Sequence, residues 1–416
     1  MLLTFASPSC NAPLGPLKLK KVMMMNMMNS RYRLDSSRTA MLWSLLRTWF
    51  LATTAFYALR PAVSTALFLV FGACDLLWMC LSIAAAVCLK GRSVLEIRER
   101  TEEPACLRDP ALGTHEFATL DDGMTLHYVS AGRRDKPLVL LLHGFPDIWY
   151  TWHKQILELK KNYWVVAPDM RGYGQSTKPS SVEEYQMSYL IEDVRGLLQS
   201  LGRNKVILVG HDWGAVVSWC FANRYPQMVD RLVTINGGHP DAMRQLLETS
   251  LTQIFKSRYM VAYQCPRIPE AWLTMDDFAK VTSLCNSGDD AQETSVLQYA
   301  FSKPGAVTAA VNYYRATFCK KWQLRKTRYR RLDIPTLVLW GSRDPYLTPQ
   351  VAELSRCHSP EAVVRFLREC GHWPHLENAP AVNEALLAFL AAGAPADTGQ
   401  KSWTQTLPVI AVTQTA

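Results

Sequence analysis

The sequence predicts an α/β fold built on a mostly parallel, doubly wound sheet. Three observations carry that expectation. First, short apolar runs recur along the chain: "LHYVS" 126–130, "PLVLLL" 137–142, "YWVVAP" 163–168, "KVILVG" 205–210, "RLVTIN" 231–236, "PTLVLW" 335–340 and "VVRFL" 363–367. They are continuous rather than alternating, which is the pattern of strands covered on both faces. Second, helical patterns fall between them, as in "MSYLIEDVRGLLQSLG" 187–202 and "AVVSWCFANRYP" 215–226, and strand–helix alternation of this kind builds parallel sheets. Third, the alternation stops near residue 240 and resumes at 335, leaving a mostly helical stretch punctuated by Pro266, Pro269 and Pro304. A helical insertion between two strands sits near the carboxyl ends of the sheet, where open α/β sheets place their ligands.

These elements divide the chain into a first core part, 91–240, a helical lid, 241–325, and a second core part, 326–395. With 416 residues, 49% of them hydrophobic, the chain can bury one large core. The formal charge of +9 is spread out. Its densest cluster is "RKTRYRR", Arg325–Arg331, which reads as a solvated face, so no nucleic acid is expected as a partner. The 11 cysteines form no C-x-x-C pair, and their scatter fits neither a disulfide framework nor a zinc site. No N-x-S/T sequon occurs, which suits a catalytic part facing the cytosol.

The N-terminal part is of a different kind. Residues 1–40 are basic, carry "MMMNMM" at 23–28 and show no pattern of a folded element, so they are expected to form a disordered leader. Residues 41–90 follow as an anchor region, and Asp75 is the only charge from Pro61 to Leu89. A membrane span takes about 20 apolar residues and a signal-peptide core about 7–15. The segment is therefore expected to be a retained single-pass anchor spanning within about 61–89, in the endoplasmic reticulum; a hydrophobic helix packed on the domain is the plainer alternative. Arg31, Arg33, Arg38, Arg47 and Arg60 precede it and Lys90, Arg92, Arg98 and Arg100 follow it. That balance gives the positive-inside rule no purchase, and the orientation stays open. The segment 396–416 is read as a polar tail without an assigned function.

The chemistry-bearing stretch is "GHDWG", Gly210–Gly214, between the run 205–210 and the helical pattern at 215–226. A strand–turn–helix with small residues on both sides holds its central residue in a sharp, exposed turn, the nucleophile elbow of α/β-hydrolases. A plain βα turn capped by an aspartate has the same spacing. That fold takes its triad in the order nucleophile, acid, histidine. Asp344 follows the strand in "TLVLWGSRDPYL", and His372 follows a strand and a glycine in "LRECGHWPHLE", with His375 as a nearby competitor. A further turn, "HGFP" 143–146, follows the run 137–142. In this arrangement the oxyanion hole comes from the backbone N–H groups of Phe145 and Trp213.

Where the elbow holds a serine, attack on a carbonyl gives an acyl-enzyme. A carboxylate there suits attack on an sp3 carbon that carries a leaving group, which gives an ester to the enzyme. His372, oriented by Asp344, can then activate water against the carbonyl of Asp212. The pattern therefore points to hydrolysis of a strained or activated C–O or C–halogen bond. A departing halide needs N–H donors, often indoles, whereas an epoxide oxygen needs acidic O–H groups. The insertion offers Tyr259, Tyr263, Tyr299, Tyr313 and Tyr314, and their positions alone do not choose among them.

From about residue 105 to 392 the sequence resembles the α/β-hydrolase-fold epoxide hydrolases, most of all the membrane-anchored vertebrate branch. The matching segments are "HGFP", "DMRGYG" 169–174, "GHDWG", "FSKPG…NYYR", "LVLWGSRD" and "GHW". The resemblance implies Asp212 as nucleophile, Asp344 as acid, His372 as base, and Tyr259 and Tyr314 as the lid phenols; Tyr259 rests on a looser local match. It also implies a lid over an apolar tunnel, lipid-like epoxides and water as substrates, and diols as products. No metal or organic cofactor is implied, and no protein partner is expected. The indole of Trp213 is a further candidate for substrate contact and keeps a haloalkane dehalogenase in view. A catalytically silent binding protein of the same fold is the alternative outside enzymes. Residues 1–40 lie outside the resemblance and read as an extension ahead of Met41; native protein whose intact mass retains Met1 would exclude that.

Overall fold

The computed structural model describes residues 36–285, 290–318 and 329–392. The leader as far as residue 35, the tail beyond 395 and the basic cluster as far as Arg328 lie outside the described residues.

Eight strands form one sheet in the order β1-β2-β4-β3-β5-β6-β7-β8. They are β1 Thr114–Thr119, β2 Thr125–Ala131, β3 Leu138–Leu142, β4 Trp164–Pro168, β5 Val206–His211, β6 Val229–Ile235, β7 Thr336–Gly341 and β8 Val363–Leu367. β2 runs antiparallel to both β1 and β4, and the pairs from β4 to β8 are parallel. The fold class expected from the sequence is thus observed, with one added strand. β1, "THEFAT", has a single buried residue, Ala118, and most of the strand is exposed. An edge hairpin with one wet face carries no apolar run to read. At the opposite edge β8 is only half-buried.

The centre of the sheet is the densest part of the core. Val139, Leu140 and Leu141 of β3 are fully buried, as are Leu208 and Val209 of β5. Truncating any of the leucines to alanine costs about 2–5 kcal/mol, because the surrounding strands cannot collapse into the gap. Rigidity here matters for function, because β3, β5 and β7 each end in a loop that carries a candidate site residue.

Helices Met187–Ser200 and Trp213–Arg224 follow β4 and β5, within two residues of the expected spans. After β6 the insertion runs through helices Pro240–Thr249, Leu251–Lys256, Tyr259–Ala262, Ile268–Leu284, Ala291–Phe301 and Ala306–Phe318 before β7 resumes the sheet. Helix Ile268–Leu284 is broken at Met275–Phe278, where Asp276, Asp277 and Phe278 have positive φ.

One long helix, Ser36–Lys90, precedes the core, and so begins inside the segment expected to be leader. Its stretch Leu59–Lys90 is long and apolar enough to cross a membrane, with 11% of its most apolar window buried. The helix does not stand away from the domain. The Arg60 guanidinium donates to Thr249 O and the Ser64 hydroxyl to Glu248 O, each at 2.9 Å, and Lys90 pairs with Asp276 at 2.6 Å. Phe71 meets Phe255 edge-on at 5.6 Å. One face therefore lies along the lid, while Leu69, Val70, Leu77 and Leu81 on the other sides are more than half exposed.

Candidate active site

Asp212 occupies the one-residue turn between β5 and helix Trp213–Arg224. Its backbone has φ 50° and ψ −117°. A non-glycine residue here holds about 1–3 kcal/mol of strain, sustained only when the surroundings fix it. They do so by close backbone contact. A Cβ on Gly214 would stand 2.1 Å from Leu142 O, and one on Gly144 would stand 2.4 Å from Asp212 Oδ1. The small flanks in "GHDWG" and "HGFP" are thus steric requirements for bringing the β3 and β5 loops together. That approach lets the Phe145 N–H donate to Asp212 Oδ1 at 2.8 Å.

His372 stands on the loop after β8 and is buried, with Nδ1 2.6 Å from Asp344 Oδ2 and Nε2 3.5 Å from Asp212 Oδ2. Asp344 is held on every side. It accepts from the Asn236 amide at 2.7 Å and from the N–H groups of Tyr346 and Leu347 at 2.7 and 2.9 Å. Burial works against its charge, but the His372 charge and these bonds outweigh it and hold the carboxyl below the usual range. For His372 burial would favour the neutral ring; the carboxylates of Asp344 and Asp212 win and push it up to about 10. The resting site is therefore an imidazolium between two carboxylates. His375, the competing histidine, is bound to Thr151 instead, Nε2 to Oγ1 at 2.8 Å.

The lid sorts the five tyrosines. Tyr259 and Tyr314 line a cavity of about 270 Å³ together with Asp212, His372, Phe145 and Tyr346. Their rings meet edge-on at 5.6 Å. Burial and then the Asp212 carboxylate raise the Tyr259 phenol well above its ordinary range; burial, Tyr259 and Asp212 do the same for Tyr314. Both are thus kept as O–H donors facing an acid. Tyr263 also lines the cavity. Tyr313 turns away, donating to Arg171 O at 2.8 Å, and Tyr299 lies beneath the Lys303 ammonium at 4.3 Å.

The indole of Trp213 lies against the tyrosines of the insertion. Its ring packs edge-on against Tyr313 and Tyr314 at 5.8 and 5.2 Å and is not among the groups lining the cavity. Its N–H belongs to the first turn of the helix, where amides have no intrahelical acceptor.

Three groups escaped the sequence reading. Asn236, at the end of β6 with φ 41°, holds Asp344, and a lone polar residue after an apolar run gave no distinguishing signal. Asp147, one residue beyond "HGFP", is buried, accepts from the Trp373 indole at 2.9 Å and is pushed up to about 7 by burial. It was visible in the same loop but looked like an ordinary turn residue. Tyr346 presents its ring edge-on to His372 at 5.2 Å. Asp147, His211 and His375 also bring potential ligand atoms within 4.8 Å of one another. His211 is already engaged beneath the site, its Nε2 donating to His372 O at 2.8 Å.

Comparisons with known proteins bear on the family and the fold. Residues 137–379 match the family described as alpha/beta hydrolase fold. Over 303 residues the chain is 37% identical to epoxide hydrolase 4 of Mus musculus, covering 70% of this chain and 83% of that one. Over 348 residues it is 35% identical to epoxide hydrolase 3 of the same organism, covering 80% and 94%. The crystal structure of a Bacillus megaterium epoxide hydrolase with an inhibitor superimposes with a TM-score of 0.62 at 33% identity, over 66% of this chain and all of that one. The segments "HGFP", "GHDWG" and "GHW", and the site they assemble, therefore have a family to belong to: the chain is a member of the epoxide hydrolases of the α/β hydrolase fold.

Proposed function

We propose that the chain hydrolyses epoxides to vicinal diols through an ester on Asp212. The observation that carries the reading is a carboxylate fixed at the elbow, with the phenols of Tyr259 and Tyr314 lining the same cavity. An Asp212 oxygen attacks one epoxide carbon. The ring C–O bond breaks, and its electron pair goes to the oxygen, which takes a phenol proton. This attack removes the Asp212 charge. His372 then loses one of the two carboxylates that hold its proton, and that proton can neutralise the tyrosinate. The neutral imidazole next takes a proton from water as the water attacks the Asp212 carbonyl carbon. The Phe145 N–H, already on Asp212 Oδ1, and the Trp213 N–H hold the oxyanion. Collapse breaks the bond between the Asp212 carbonyl carbon and the ester oxygen, the departing alkoxide takes the proton that the added hydroxyl leaves on the Asp212 carboxyl, and the diol leaves with one oxygen from the epoxide and one from Asp212.

Two measurements test the route. In His372→Gln the ester should accumulate as a mass adduct equal to the epoxide. A single turnover of wild type in H2(18)O should place the label in Asp212 rather than in the first diol formed; label in the diol alone would mean direct attack by water. The packing of Trp213 away from the cavity argues against a halide cradle. Halide release from a bromoalkane with no diol from an epoxide would restore that reading.

The aromatic cavity and the apolar helix beside it support lipid-like epoxides and a membrane setting; the endoplasmic reticulum is the compartment we propose. All cysteines among the described residues are free, which suits a cytosolic face. A simple crossing by Leu59–Lys90 would carry the lid contacts at Arg60 and Lys90 across with it. Asp75 is the only charge from Pro61 to Leu89, so the segment has no strongly polar face, and the single-pass anchor is the reading we keep, with a helix lying in the membrane surface as the alternative. Tags at the two ends of the chain distinguish the cases in sealed microsomes: both cut by external protease for a surface helix, one protected for a crossing.

A further inference from the structure

The N-terminal helix reaches the catalytic cavity itself. Gly72, Asp75 and Met79 are spaced i, i+3, i+7 and so share one helix face, and that face lies on the lid turn that begins at Tyr259. Three contacts define it. A Cβ on Gly72 would stand 2.3 Å from the Val261 Cβ, so only glycine lets the helix close on helix Tyr259–Ala262. Asp75 pairs with Arg258 at 3.1 Å, its side chain 12% exposed. Met79 is 2% exposed, whereas Leu69, Val70, Leu77 and Leu81 nearby on the same helix are more than half exposed. Asp75, Trp78 and Met79 line the same cavity as Asp212, His372 and Tyr259.

A carboxylate in the middle of an apolar helix is costly unless it meets a partner, and such residues mark functional contacts. The partner here is the residue immediately before the expected proton donor. Arg258 is fixed from its other side as well, with its guanidinium over the Phe255 ring at 4.3 Å and donating to Phe255 O at 3.0 Å. Tyr259 thus sits between two points, Arg258 and Val261, that both dock on the N-terminal helix. Further along, Lys90 and Arg100 pair with Asp276 and Asp277 in the break of helix Ile268–Leu284.

From these contacts we infer that the N-terminal helix is a wall of the active site as well as an apolar appendage: Met79 bounds the substrate cavity, and the Asp75–Arg258 pair is a latch that positions Tyr259 for epoxide opening. Asp75 is a positioning residue, since it acts through Arg258 and touches no reacting atom. The inference rests on the epoxide-hydrolase reading above, and its test is arranged so that the two can fail separately.

The test uses the full chain in lipid nanodiscs, in a His372→Gln background, with 1,2-epoxyhexane and 1,2-epoxyhexadecane. Mass spectrometry then follows ester formation per active site, which needs the phenol but not the base. Asp75→Asn should slow ester formation roughly 10-fold, a misplacement effect of the size expected from small shifts of a reacting group. Asp75→Glu should recover part of the rate, and so should the reversed pair Asp75→Arg with Arg258→Asp. In otherwise wild-type chain, the rate of ester breakdown should be unchanged by Asp75→Asn, a distinction that general loss of stability would not produce. Met79→Trp, which leaves the ion pair intact, should raise KM for the hexadecane epoxide at least about 5-fold more than for the hexane epoxide. Parent-like ester formation in Asp75→Asn together with unchanged chain-length preference in Met79→Trp would overturn the inference. If the His372→Gln parent forms no ester with either epoxide, the epoxide-hydrolase reading fails first and takes the latch with it.

Discussion

The floor and the roof of the site are built on different principles. On the floor, Asp212, Asp344 and His372 stand on loops at the ends of strands of one sheet whose centre is fully buried, and each is fixed by short hydrogen bonds or by backbone that admits no Cβ. On the roof, Tyr259, Tyr263 and Tyr314 meet edge-on, with ring centroids 5.1–5.6 Å apart. The floor has its geometry imposed by the fold; the roof takes its geometry from what packs against it, including the N-terminal helix. Edge-on aromatic pairs are worth only about 0.5–1.5 kcal/mol each beyond burial, so the roof can shift at small cost where the floor cannot.

The largest expected effect lies on the floor. Asp212→Ala removes the carboxylate proposed to attack the epoxide. Diol formation should fall by at least about 10⁴-fold, the scale seen when an essential nucleophile is deleted. Retained turnover in Asp212→Ala, measured by product mass, would break the division of roles.

On the roof, Tyr259→Phe and Tyr314→Phe should each slow ester formation by about 10²-fold, within the range of single proton donors in general acid catalysis. The double variant should be slower than either, because each phenol can still polarise the oxygen when the other is lost. Tyr313→Phe should leave ester formation within about 2-fold, since its hydroxyl is spent on Arg171 O. A Tyr313→Phe defect equal to that of Tyr314→Phe would mean that the roof is assigned to the wrong ring of "NYYR".

The same contrast explains what the sequence disclosed. Floor residues come from short motifs whose spacing is forced by the chain, strand, one-residue turn, helix, so Asp212, Asp344 and His372 could be placed in order without coordinates. Roof residues lie on helices whose registers are set by contacts between distant segments. Five tyrosines were therefore equivalent until the resemblance to a family chose two of them. Asn236 escaped because its function is to hold Asp344, which stands 108 residues away in the chain. Asp75 looked like an awkward charge in an anchor, because nothing local connects residue 75 with residue 258. Trp213 shows the other case: its place beside Asp212 is local, but the contact of its ring with Tyr314 at 5.2 Å joins segments 101 residues apart.

Asn236 offers a smaller test of the floor. Its amide donates to Asp344 Oδ2, the oxygen that also meets His372. Asn236→Ala leaves Asp344 with the Tyr346 and Leu347 amides on its other oxygen and removes one support of the pair. A loss of roughly 10-fold in ester breakdown, with ester formation little changed, is expected. Equal loss in both steps would show that Asn236 supports the elbow rather than the base.

A last effect concerns stability and turns on the sign of one pKa shift. His372 titrates at about 10 in the folded chain and at about 6.5 when unfolded. The folded state therefore binds this proton more tightly, and protonation stabilises the fold. That contribution is fully present below about pH 6.5 and is lost progressively as the pH climbs towards 10. Asp344 has the opposite shift, and its contribution changes only near and below its unfolded value of about 3.9, outside this window. Melting temperature should therefore fall between pH 7 and pH 10 more steeply in wild type than in His372→Gln, which has no proton to lose. Asp212→Asn removes one of the two carboxylates holding the imidazolium, so the His372 titration followed by NMR should move down from about 10 while staying above 6.5, because Asp344 remains. A titration unmoved by Asp212→Asn would mean that Asp344 alone holds the proton. Loss of the Asp212 charge on ester formation would then no longer free the base for the second step.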